Sequence, residues 1–120
     1  MSGTLLHVCR LDDVAPQDAR AFMLGERSLL VVRLDAARVR VYLNRCPHLG
    51  VPLNWQPDRF LDNEGAFVQC ANHGALFEKD TGLCVLGPCR GDSLWEITST
   101  VVAGAVLIDT AELPSAAVPH

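Results

Sequence analysis

The chain has 120 residues, is 49% hydrophobic and 20% charged, and carries a formal net charge of −4. That is the size of one domain, which buries roughly 65% of its unfolded surface and needs no disulfide staples. The apolar content excludes disorder, and the acidic balance with scattered basic residues argues against nucleic acid as a partner.

The predicted elements are short strands. Thr4 to Arg10 and Ala19 to Leu24 read as the first two. The stretch between them, around Val14 to Arg20, is the best helical candidate, though it carries Pro16. Arg27 to Leu34 is a run of leucine and valine, and Asp35-Ala36-Ala37 joins it to a strand over Arg38 to Leu43. That strand alternates with period two and puts Val39, Val41 and Leu43 on one face. Ala66 to Cys70 follows an Asn63-Glu64-Gly65 turn. Leu76-Phe77-Glu78 and Leu83 to Leu86 flank Lys79-Asp80-Thr81-Gly82, with glycine where a positive φ is wanted. Leu94 to Val102 and Ala105 to Asp109 form a last hairpin about Ala103-Gly104, and a frayed tail is expected over about 111–120.

Many short strands with turn signals between them indicate an all-β sandwich or small barrel. The loop-rich stretch of about 45–90 is set into it and holds four of the seven prolines and four of the five cysteines. No apolar run approaches the ~18 residues of a membrane span. The start has no charged segment ahead of a long apolar one, as an export signal would. A cytoplasmic chain with no membrane partner is expected, with cysteines that are metal ligands or core residues.

Two segments carry the chemistry: Cys46-Pro47-His48-Leu49-Gly50 and Cys70-Ala71-Asn72-His73-Gly74. Each supplies one thiolate and one imidazole from a turn ending in glycine. Four such ligands on one metal would make a Cys₂His₂ zinc site. Zinc knuckles, however, pair Cys with Cys and His with His. Mixed turns suit a binuclear cluster with both cysteines on one iron and both histidines on the other.

The pattern Cys-x-His-x-Gly followed by Cys-x-x-His-Gly resembles the Rieske [2Fe–2S] family. Gly87-Pro88 looks like that family's third cluster loop. The resemblance implies one Rieske domain over residues 1–120, an antiparallel β fold with a cluster-binding subdomain. One [2Fe–2S] cluster would be held by Cys46 and Cys70 on the inner iron and His48 and His73 on the outer. Leu49, Gly50, Gly74, Ala75 and Pro88 would shape the surrounding shell. The segment 49–69 is longer than in many soluble Rieske ferredoxins, with Trp55 to Asn63 as an extra turn.

High-potential members add a disulfide at the positions of Val51 and Asn72, and hydroxyl donors at those of Ala75 and Phe77. None of these four residues can serve here, so the potential is expected near the low end of the ~−150 to +300 mV Rieske range. Two ferric ions, two sulfides and two thiolates sum to zero, so reduction is easier than at a Cys₄ site.

The resemblance implies a soluble one-electron carrier between a flavin reductase and a terminal oxygenase or similar acceptor. No catalytic residue is assigned: an oxygenase would need a mononuclear iron held by two histidines and a carboxylate, and only His7 and His120 remain. A small Rieske subunit of a nitrite-reductase-like complex is an alternative. A structural zinc-binding interaction module is another, which colour would separate. Cys9, Cys84 and Cys89 read as bystanders, Trp55 and Trp95 as packing residues, and Asp58, Asp62 and Glu64 as a solvated loop.

Overall fold

The computed structural model describes residues 5–24, 27–45, 53, 60–62, 65–70, 74–87 and 90–112. Ten strands run through them: β1 (Leu5–Arg10), β2 (Ala19–Leu24), β3 (Arg27–Arg33), β4 (Val39–Leu43), β5 (Phe67–Gln69), β6 (Leu76–Glu78), β7 (Cys84–Leu86), β8 (Glu96–Ile97), β9 (Ser99–Val102) and β10 (Ala105–Asp109). They form three antiparallel sheets, ordered β2-β3-β4-β8, β1-β10-β9 and β5-β6-β7. Among the described residues there is no α-helix, and no helix long and apolar enough to cross a membrane.

The four-stranded sheet lies between two cores. One face contributes Leu29, Val31, Val39, Val41 and Leu43 to a cluster with Cys9, Val106 and Ile108 of the β1-β10-β9 sheet. The other contributes Leu30, Val32 and Tyr42 to a cluster with Val68, Phe77 and Cys84 of the β5-β6-β7 sheet. A strand covered on both faces has no reason to alternate, which explains the unbroken Leu29-Leu30-Val31-Val32 run. On β4 the expected face of Val39, Val41 and Leu43 is buried together, with Tyr42 opposite.

Two expectations fail. Val14 to Arg20 is not helical: a 3-10 turn occupies Leu11–Asp13, and Asp18 N donates to Ala15 O at 3.1 Å. Pro16 and Gln17 form the centre of that four-residue turn, with Gln17 at φ 64°. β2 then starts at Ala19, leaving no room for a helix. Leu94 to Val102 is not one strand either. β8 pairs with β4 and β9 with β10, so the chain changes sheets at Thr98. The Thr98 carbonyl already accepts from Asp109 N at 3.2 Å, which commits the residues beyond it to the outer sheet.

The β6–β7 turn is latched to the central sheet. Tyr42 Oη donates to Lys79 O at 2.8 Å, Arg40 pairs with Asp80 at 2.8 Å, and Lys79 Nζ donates to Gln17 O at 2.8 Å. Gly82 has φ +76°, and a Cβ there would meet the Tyr42 ring at 2.8 Å, so both backbone and packing require glycine.

Candidate metal centre

The second Cys/His turn leaves β5 and returns as β6. Cys70 N donates to Ala75 O at 2.9 Å and Gly74 N to Cys70 O at 2.8 Å, so the main chain closes the loop on itself. Cys70 is fully buried, with Ala75, Phe77, Leu53 and Phe60 in the same core. Residues 60–62 flank β5 as a further extended segment, through a Leu61–Val68 bridge and Gln69 N donating to Phe60 O at 2.7 Å. Asp62 is not simply solvated: its Oδ1 accepts from Ala66 N at 2.8 Å and Phe67 N at 3.1 Å, capping the turn into β5. Asp58, Glu64, Ala71, Asn72 and His73 lie outside the described residues.

The third loop starts at Gly87, just after β7. Its φ is +109°, and a Cβ built there would lie 2.9 Å from both Cα and Cβ of Ala75. The two loops therefore touch backbone to backbone, closer than any side chain permits. Arg90 N donates to Gly87 O at 3.2 Å, turning the chain back toward β8. Pro88 and Cys89 lie outside the described residues.

The first turn, with Cys46, His48, Leu49, Gly50 and Val51, also lies outside them, but its two ends do not. Asn44 N donates to Ser28 O at 2.9 Å and Arg45 N to Leu43 O at 2.8 Å, bending the chain out of β4. Leu53, where the chain is next described, is fully buried beside Cys70, and its N–H donates to Asn44 Oδ1 at 3.0 Å. Asn44 is the residue that motif reading passes over. The available signal was an amide placed between a strand end and Cys-Pro-His.

The bases of all three loops thus meet in one core. A buried thiol beside a glycine-tight contact, in a chain whose two turn sequences supply a Cys/His donor set, fits a metal–sulfur group. Ala75 and Phe77 are both fully buried and neither has a hydroxyl.

Of the other described thiols, Cys84 shares the core of Cys70 and Cys9 does not. Cys84 is buried, its Sγ donating to Leu86 O at 3.3 Å. Cys9 sits in the opposite core, where burial and then the Asp13 charge push its thiol up to about 11. His7 is exposed on β1. Trp95 is not a core residue, being 50% exposed; Trp55 is outside the described residues.

A family model for the Rieske [2Fe-2S] domain matches residues 4–107. The chain belongs to the Rieske [2Fe–2S] family. Its cofactor is one [2Fe–2S] cluster, which sets zinc aside. This Rieske chain is 33% identical over 73 residues to the oxidoreductase NdmD of Pseudomonas putida, covering 61% of this chain and 11% of that protein. It therefore spans about a tenth of that relative's length. The Sphingomonas yanoikuyae B1 ferredoxin superposes with a TM-score of 0.70 at 26% identity, over 88% of this chain and 98% of the ferredoxin. A chain from the complex of reduced oxygenase and oxidized ferredoxin in carbazole 1,9a-dioxygenase superposes with a TM-score of 0.68 at 26% identity, over 88% and 92%.

Proposed function

We propose that the chain is a Rieske-type ferredoxin that takes one electron from a flavin reductase and delivers it to a terminal oxygenase or similar acceptor. One observation carries this. The Cys70–Ala75 loop, closed on itself and pressed against Gly87, sits in a fold overlapping a ferredoxin over 88% of this chain and 98% of the other. In this reading residues 1–120 act as one domain, with the cluster-binding part at about 45–90.

Cys46 and Cys70 hold one iron and His48 and His73 the other; Leu49, Gly50, Gly74, Ala75 and Pro88 enclose them. The bound cluster supplies reversible one-electron chemistry. The chain's part is to fix the ligands and exclude water. Cys70 is fully buried, and the Ala75 and Phe77 side chains have no hydroxyl to stabilise added negative charge. The net charge of −4 favours approach to basic patches on partners. Cys9 is a free thiol, which supports a reducing, cytoplasmic setting.

The test is an anaerobic relay with purified holoprotein, a flavin reductase and a terminal oxygenase. Reduction by the reductase, a Rieske signal with low average g by EPR, and reoxidation by the oxygenase are expected. Colourless protein without the signal overturns the reading.

A further inference from the structure

We propose that Asn44 is a positioning residue for the first Cys/His turn: its side chain clasps both ends of the segment that carries Cys46 and His48. The consequence for the iron ligands rests on the ferredoxin reading above.

Asn44 is one of two buried polar residues among those described, the other being Arg33. It stands where β4 ends, and its backbone leaves the sheet through a three-residue turn, Arg45 N donating to Leu43 O at 2.8 Å. Its side chain points inward. Nδ2 donates to Ser28 Oγ at 3.0 Å, on β3, and Oδ1 accepts from Leu53 N at 3.0 Å in a buried bond. The chain departs at Arg45 and is back in the core at Leu53, so one side chain ties departure and return to the β3–β4 ladder.

The second turn is built otherwise. Its ends are joined by main-chain bonds, Cys70 N to Ala75 O and Gly74 N to Cys70 O. A main-chain clasp survives side-chain substitution, whereas a side-chain clasp depends on one residue. The residue must accept from the Leu53 N–H and bond Ser28 without burying a charge. A neutral amide does both. Alanine and serine are too short to span the gap. Cys46 lies two positions from Asn44, so looseness at the clasp reaches the ligand directly, as with the outer partners that orient metal ligands.

The test compares holoprotein with Asn44→Ala and Ser28→Ala. The readouts are iron loss to excess bathophenanthroline disulfonate, the EPR g values of dithionite-reduced protein, and far-UV circular dichroism. Asn44→Ala should lose iron at least about fivefold faster, with altered g values and an unchanged dichroism spectrum. Ser28→Ala, which leaves the bond from Leu53 N intact, should stay within about twofold of wild type. If Asn44→Ala does not fold, Asn44→Ser takes its place. Wild-type iron loss and g values in the truncated variant overturn the clasp, as does a Ser28→Ala variant that fails equally. Absence of the Rieske signal from the wild-type protein overturns the ferredoxin reading instead.

Discussion

Replacing Gly87 by alanine tests whether the third loop must touch the second. Two costs arise. The backbone has φ +109°, a conformation that costs a residue bearing a Cβ about 1–2 kcal/mol. The new Cβ would also lie 2.9 Å from Ala75 Cα and Cβ, and forcing atoms into a packed contact costs about 1–3 kcal/mol more. Gly65→Ala isolates the first cost: its φ is +71° with nothing within 4 Å of the added carbon. With about 4 °C lost per kcal/mol in a domain of this size, Gly65→Ala should lower the melting temperature by about 4–8 °C and Gly87→Ala by about 8–20 °C. Unfolding releases the cluster, so the variants are compared at one scan rate, following visible absorbance. Adding Ala75→Gly to Gly87→Ala should restore only part of the loss, because the overlap with the Ala75 Cα remains. Equal losses for Gly65→Ala and Gly87→Ala would refute the close approach.

Other outcomes are expected from the same structure. Cys84→Ala should keep the visible spectrum, whereas His73→Ala should lose it, because only the second removes a proposed ligand. Protein-film voltammetry should place the potential low in the Rieske range; a value above about +150 mV would contradict the reading drawn from the missing hydroxyls at Ala75 and Phe77. Asp35 accepts from Ala37 N and from the backbone and guanidinium of Arg38, and these bonds lower its carboxyl from 3.8 to about 2. A lowered folded pKa gives stability that is complete above about pH 4 and lost as pH falls through about 2. Asp35→Asn should remove that acid-side slope in pH-dependent unfolding. Cys9, held protonated to about 11, should resist iodoacetamide at pH 8 in folded protein and react once it is unfolded.

The Rieske family was legible because its Cys/His turns put particular residues at short spacing. The Val39, Val41, Leu43 face was legible because one side of β4 meets a core in which its neighbours already lie. The sheet change at Thr98 was not. Ile97 and Val101 pack into the same core from different sheets, so their hydrophobicity is continuous across a bend that neither glycine nor proline marks. The helical reading of Val14 to Arg20 failed because a positive φ at Gln17 leaves no trace in residue type. Nor could the sequence disclose that Asn44 faces Leu53 or that Gly87 touches Ala75. Each contact joins residues that come together only after the strands have paired.

The place of the cluster loops within the sheet order has a further consequence. β4 and β8 are neighbours, joined by Leu43 N donating to Trp95 O at 2.8 Å, yet residues 44–95 lie between them. To the central sheet, that whole stretch is a detour that departs and re-enters at one spot. Loop-closure cost rises only with the logarithm of length, so ten added residues would penalise the sheet by about 0.2 kcal/mol. The scaffold can thus host detours of very different length. Within one architecture, the electron-handling part is free to be remodelled while the strands beneath keep their register.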